Sequence, residues 1–325
     1  MSRTLTLLLL PLALSALAET SGGVMKWGFA HPITANDNTQ IATIGTNCVK
    51  ITENSNWVLA QLADGSLNPW GNNTYGQTNA PDGTYLDSFA GWRHGISIAT
   101  SSNVVEWGTP YGNAIEDWLA TRPASVSNDM IIAVAAGDDH SLALDADGNV
   151  HAWGGRSEVT DWHLAISNAV AIDSGWYAGI ALLDDGTVQT FGTTSQTGQY
   201  IEVPAGLTNA SAIGASQWAF FAVQDGIPWG WGMPNDYGQF SFSAEATNIV
   251  MISGGIRHTI MARADGTVLT FGDNSQGQVT IPGGLTNSTW ISGGRYTSFA
   301  IQTGSAGSSS TDIAAIGTLT IGGGL

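Results

Sequence analysis

Seven aromatic-glycine pairs recur along this chain at a near-regular interval: Trp27-Gly28, Trp70-Gly71, Trp107-Gly108, Trp153-Gly154, Phe191-Gly192, Trp231-Gly232 and Phe271-Gly272. The steps between them are 43, 37, 46, 38, 40 and 40 residues. A period near 40 marks a repeat architecture, in which each unit buries its apolar face only against its neighbours. The fullest unit runs from Ile131 to Gly154. It reads as an apolar strand (Ile131 to Ala136), the loop Gly137-Asp138-Asp139-His140, an alternating strand (Ser141 to Leu144), the turn Asp147-Gly148 and a third strand ending at Trp153-Gly154. Counting thirteen residues back from each aromatic places Trp57, His94, Ala178, Trp218 and His258 at the position of His140, and a seventh such position falls on Thr297. Asp-Gly pairs at Asp64, Asp147, Asp185, Asp225 and Asp265 predict tight hairpin turns with positive φ at both central residues. Asp145-Ala146-Asp147-Gly148 lacks the further spaced ligands of a calcium loop and reads as one of these turns.

The last unit has two strands (Thr289 to Ser292, Ser298 to Gln302) and no third, whereas the N-terminus supplies a lone strand, Val24 to Trp27. The two halves complement each other. The fold class expected is therefore all-β: a seven-bladed β-propeller closed by Val24–Trp27 completing the last blade, which removes exposed sheet edges. Residues 1–18 have the pattern of a signal peptide, with Arg3, an apolar run from Leu5 to Leu14 and the small-residue site Ala16-Leu17-Ala18. The propeller occupies 19–303, and 304–325 form a Gly/Ser-rich linker with a short tail. The only cysteine, Cys48, has no disulfide partner and is expected to pack as a small buried hydrophobe.

Charge narrows the function. The chain has a net charge of −17 with 9 basic residues, so it lacks the basic stripe of a nucleic-acid binder and has no electrostatic attraction to an anionic membrane. The signal segment points to a secreted protein, extracellular or periplasmic, and the acidity suits solubility. No H-E-x-x-H, G-x-S-x-G or phosphate-binding glycine loop is present. The three histidines at the repeat position would be far apart around a ring, which argues against a metal cluster or a Ser-His-Asp set; bonds to neighbouring backbone are expected instead. No catalytic residue, metal ligand or cofactor is assigned.

The units resemble the regulator of chromosome condensation repeat family, whose members fold as seven-bladed propellers. The resemblance rests on Ala136-Gly137-x-x-His140-Ser141-Leu142-Ala143-Leu144, Asp147-Gly148 and Trp153-Gly154, and on Trp70-Gly71-Asn72 with Gly76-Gln77 and Phe271-Gly272-Asp273-Asn274 with Gly277-Gln278. Gly198-Gln199 and Gly238-Gln239 repeat the theme. The short repeats are most similar to the secreted bacterial branch that includes the propeller-type beta-lactamase inhibitor. That likeness implies a protein partner, such as an extracellular enzyme or a cell-wall protein, and a monomer.

If the strands are antiparallel, the Gly-x-x-His loops and the loops after each aromatic-glycine share one face, and the Asp-Gly turns share the other. The first face collects Trp92, Arg93, Trp176, Tyr177, Arg257, Arg295 and Tyr296, joined by Tyr75, Tyr111 and Tyr237. Trp, Tyr and Arg are the types enriched in protein-binding hot spots. Trp92 and Trp176 stand where sister units carry other residues, and a requirement of the fold would repeat. Trp57 and Trp218 are read as structural replacements of the histidine. The expected function is a secreted, non-enzymatic protein-binding propeller using this face. The alternatives are a carbohydrate-binding or polysaccharide-acting propeller, with carboxylates such as Asp138 and Asp139 converging in a cleft, and a cell-surface display module.

Overall fold

The computed structural model describes residues 22–28, 37–54, 56–109, 119–155, 166–192, 202–232 and 235–303. The leader, the tail, Tyr111 and the segments around Trp118 and Trp162 lie outside them. The described strands form seven antiparallel sheets of three. Six sheets are consecutive: β2–β4 (Cys48–Asn54, Trp57–Leu62, Leu67–Gly71), β5–β7 (Tyr85–Ala90, His94–Ala99, Val104–Gly108), β8–β10 (Ile131–Ala136, His140–Asp145, Val150–Gly154), β11–β13 (Ala169–Ser174, Ala178–Leu183, Val188–Gly192), β14–β16 (Ala210–Ala215, Ala219–Gln224, Ile227–Gly232) and β17–β19 (Ile249–Gly254, His258–Arg263, Val268–Gly272). The seventh joins β20 (Ser288–Gly293) and β21 (Thr297–Gln302) to β1 (Gly23–Gly28), with Lys26 opposite Phe299. The propeller closed by its N-terminal strand is therefore observed. A short helix α1 (Asp37–Ile44) lies between the first two strands.

The first strands of successive blades pack against one another and form the inner wall of the ring. Each has a bulge after its first residue, as between Ile131 and Ala133 and between Ser288 and Trp290. A bulge bends a strand and increases its twist, and its recurrence at one position gives all seven sheets a common inner curvature. The apolar core lies between blades: Ile96 and Ile98 of the second blade pack with Val134, Ala143 and Trp153 of the third. Cys48 is buried in the cluster where the ring closes. The middle strands are the most completely buried elements, which fits their apolar runs.

The periodic aromatics serve this packing. Trp153 is 1 % exposed and Trp107 5 %. The glycine that follows each is required by close approach. At Gly108 and Gly272 the backbone takes φ of 93° and 112°, and a Cβ would strike the carbonyl oxygens of Arg93 and Arg257. The next N–H is donated to that same oxygen, from Thr109 to Arg93 at 3.2 Å and from Asp273 to Arg257 at 2.9 Å. The end of each third strand thus clamps the tip of the neighbouring loop.

The Asp-Gly turns divide into two kinds. Only Asp225-Gly226 has positive φ at both residues, 54° and 75°, in a two-residue hairpin where Gln224 pairs with Ile227. The turns at Asp64, Asp147, Asp185 and Asp265 are three-residue loops in which only the glycine has positive φ. Gly186 donates to Leu183 O and Leu183 to Thr187 O, the pattern of a type I turn followed by a bulge. Here Asp185 accepts the Thr187 N–H at 2.8 Å, so the aspartate is needed as an acceptor rather than for its φ. In the third blade Asp145 has that task, accepting from the N–H groups of Asp147 and Asn149.

Candidate functional site

The Gly-x-x-His segment is a four-residue loop that offers two side chains at its tip. Gly91 donates to His94 O at 2.9 Å, Gly137 to His140 O at 3.0 Å and Gly255 to His258 O at 2.8 Å. Below the tips the histidines fasten blade to blade. His94 Nε2 meets Ser141 Oγ at 3.1 Å, His140 Nε2 meets Ser174 Oγ at 2.7 Å and His258 Nε2 meets Ser298 Oγ at 2.9 Å. These partners are hydroxyls of the next blade, which the sequence did not point to; His258 also bonds the backbone of Thr297, in keeping with the backbone contact expected. Burial pushes His94 and His258 down to about 4, so both are neutral at pH 7. Trp57 replaces the histidine in the first blade and donates its indole N–H to Gly91 O at 2.7 Å.

Trp218 does not occupy that position. The strand register pairs Ala219 with Gly232, as it pairs His140 with Gly154. The shorter Asp225-Gly226 hairpin removes one residue, so counting back from Trp231 misses by one. The tip pair of the fifth blade is therefore Gln217-Trp218, and Trp218 joins the loop face. Counting nine residues forward from the first residue of each first strand finds the position in every blade, from Cys48 to Trp57 through Ser288 to Thr297.

The corrected frame brings three tryptophans together. Trp92 and Trp176 stack with ring centroids 6.1 Å apart and planes 17° apart. Trp218 meets Trp176 edge-on at 5.5 Å, and Tyr177 does so at 6.0 Å. These residues come from the second, fourth and fifth blades and are all partly exposed. Backbone bonds hold the loops beneath them: Trp92 N donates to Gly137 O, Asp138 N to Trp176 O and Trp176 N to Gln217 O. Asp138 and Asp139, the tip pair between Trp92 and Trp176, are 1 % and 5 % exposed and do not line the channel.

The predicted arginines and tyrosines pair around this cluster. The Arg93 guanidinium lies 4.3 Å from the Tyr75 ring centre and 4.1 Å from that of Trp92. Arg257 lies 4.4 Å from Tyr237, and Arg295 lies 5.4 Å from Tyr296. Tyr75 and Tyr237 hold equivalent positions because the Asn-x-x-Gly-Gln loop fixes them: Gln77 and Gln239 are buried and accept the N–H groups of Tyr75 and Tyr237. Both rings remain exposed. The predicted Tyr111 lies outside the described residues.

Under the loop face runs the central channel, with an empty volume of about 1010 Å³ including its open mouth. Trp176, Gln217, Ile256 and Arg295 line its mouth, and Lys50, Phe89, Asp173 and Trp290 line its interior. Lys50 Nζ is 2.5 Å from Asp87 Oδ1 and lies over the rings of Phe89 and Trp290. Burial raises the Asp173 carboxyl to about 6, although it accepts N–H bonds from Ser174 and Ala215. The opposite face has a different character. It exposes Asp64, Asp147, Asp184, Asp185, Asp225 and Asp265. Hydrogen bonds from Ser66, Thr187 and Thr267 hold the Asp64, Asp185 and Asp265 carboxyls below their usual range. Among the described residues, no helix is long and apolar enough to cross a membrane.

The model of the regulator of chromosome condensation (RCC1) repeat matches residues 131–157 and 249–278, which start at the first strands of the third and sixth blades. Among curated proteins, the probable E3 ubiquitin-protein ligase HERC6 of Homo sapiens is 27 % identical over 250 residues, which cover 62 % of this chain and 24 % of that protein. The E3 ubiquitin-protein ligase HERC2 of Mus musculus is 24 % identical over 243 residues, 58 % of this chain and 5 % of that protein. The match thus spans about a quarter of the first relative and a twentieth of the second. Among solved structures, Prp20p from Saccharomyces cerevisiae superposes with a TM-score of 0.62 at 13 % identity, covering 91 % of this chain and 94 % of that one. Yeast RCC1 (Prp20) bound to Kap60 gives 0.65 at 14 % identity, with 91 % of each chain covered. The ectodomain of the Arabidopsis thaliana receptor kinase ACR4 gives 0.56 at 16 %, with 70 % of this chain and 81 % of that one. Seven closed three-stranded blades and these superpositions lead to one conclusion: the chain folds as a seven-bladed propeller, and its third and sixth blades match the regulator of chromosome condensation repeat.

Proposed function

We propose that this chain is a secreted, non-enzymatic propeller that binds a protein partner on its loop face. The observation that carries the reading is the convergence of Trp92, Trp176 and Trp218 from three blades, at tip positions where the repeat demands no tryptophan. Aromatic and arginine side chains that are rigid and partly exposed are the usual anchors of protein interfaces. The Arg–Tyr pairs around them hold the cations in place before a partner arrives, which lowers the ordering cost of binding. Two of the superposed structures concern protein complexes: one reports the binding of Prp20p to Gsp1p and histones, the other its complex with Kap60. The leader-like residues 1–18 and the short repeats favour an extracellular enzyme or cell-wall protein as the partner here.

Affinity capture from the native secretome, followed by substitution of Trp92 and Trp176, tests this assignment. Trp176→Ala should cost about 2 kcal/mol or more of binding. Unchanged affinity for the captured partner would remove the face from consideration. A second reading, carbohydrate binding, is favoured by the stacked tryptophans above a channel that holds Asp173. Titration with soluble polysaccharides that quenches the tryptophan fluorescence, with no protein captured, would select it.

A further inference from the structure

The third blade departs from the repeat on the face opposite the tryptophans. His151 is the second residue of its third strand, where the other blades carry Met25, Asn68, Val105, Gln189, Trp229 and Leu269. Asp145 closes its middle strand, where the others have Leu62, Ala99, Leu183, Gln224, Arg263 and Gln302. The longest step of the repeat adds a 3-10 turn, Ala124–Ser127, and Asp129 just beyond it. These departures meet at one point. His151 Nε2 lies 2.8 Å from Asp145 Oδ2 and 3.8 Å from Asp129 Oδ2. One ligand atom from each of the three residues lies within 4.8 Å of the other two.

We propose that Asp129, Asp145 and His151 form a binding site for a divalent cation of the zinc class. The donor set is one imidazole nitrogen and two carboxylates, which suits Zn²⁺ or Co²⁺ and not calcium or magnesium, whose sites are built from oxygen. The ring is oriented from behind. Without metal, Nε2 donates to Asp145 Oδ2, and Ser125 Oγ lies 3.1 Å from Nδ1; a metal at Nε2 would take the place of that proton while Ser125 accepts the proton held at Nδ1. Such an outer hydrogen bond sets the tautomer of a ligating histidine. Asp145 is 2 % exposed and is held by the N–H groups of Asp147 and Asn149 and the Asn149 amide. Asp129 is 42 % exposed in its side chain and opens the cluster to water, which completes the coordination. A requirement of the propeller would recur in other blades; His151 and Asp145 do not.

Titration calorimetry of the untagged chain, freed of metal with a chelator, tests the site with Zn²⁺, Co²⁺ and Ca²⁺. One equivalent of Zn²⁺ and of Co²⁺ should bind, Co²⁺ with visible d–d absorption, and Ca²⁺ should give no heat. Asp129→Asn changes an exposed residue and should weaken Zn²⁺ binding about tenfold or more. His151→Gln should abolish it, and where that variant fails to fold Asp129→Asn decides. Native-like Zn²⁺ affinity in Asp129→Asn, or no Zn²⁺ binding by the native chain, would overturn the assignment and leave a plain imidazole–carboxylate pair.

Discussion

At the residue scale, His94 and His258 show how one side chain holds two blades. Each is fully buried and bonded to a serine of the next blade, and burial lowers both to about 4 against an ordinary value of 6.5. Above pH 6.5 the imidazoles are neutral in folded and unfolded chains alike, and their contribution is complete. As the pH falls from 6.5 towards 4 the unfolded chain takes up protons that the folded one refuses, so stability is lost, by up to about 3 kcal/mol for each histidine. Asp173 acts in the opposite sense: raised to about 6, it is protonated first in the folded chain and offsets part of that loss. Urea unfolding at pH 7 and pH 4.5 should therefore show a smaller drop in His94→Gln/His258→Gln than in the native chain. An identical drop would mean that the imidazoles are not the groups responsible. The positions of these histidines were legible in the sequence because they repeat. Their serine partners were not, because Ser141 and Ser298 belong to the next blade and only the closed ring brings them close.

At the scale of the element, one hairpin decided what could be read. Asp225-Gly226 is the only one of the five Asp-Gly turns with both residues at positive φ, and its shortness shifts the fifth blade by one residue. Counting through that turn puts Trp218 at the histidine position as a structural replacement, whereas Ala219 is the residue that stands opposite Gly232. Spacing measured through a turn of variable length is less dependable than spacing measured along a strand and its loop. Strands, blade count and ring closure were legible, since apolar alternation and the half-units at the two ends express them directly. The pairing of Arg93 with Tyr75 and of Arg257 with Tyr237 was legible only as two lists of residues on one face. The turn offers its own check. Gly226→Ala should cost about 1–2 kcal/mol, because a Cβ is disfavoured in the left-handed region, whereas Asp225→Asn should be near neutral. Thermal melts of the two variants would show it, and equal melting temperatures would contradict the two-residue geometry.

For the whole molecule, closure makes the ring a single cooperative object. β1 meets β21 across almost the full length of the described chain, and Trp27 packs with Met251, Ile260 and Ile291 of the last two blades. In an open solenoid, loss of a terminal repeat is local. Here Trp27→Ala removes a residue that is 7 % exposed and should lower the stability of the entire ring by about 3–5 kcal/mol. Calorimetry should show one transition moved to lower temperature, and a split transition would show that the blades melt independently. The same closure fixes how the ring is tethered. Gly23 lies opposite Gln302, so both described ends emerge side by side among the Asp-Gly turns. The described chain thus begins and ends on the aspartate-rich side. An attachment made directly at Gly22 or Thr303 would therefore present the three tryptophans outward, away from the anchor.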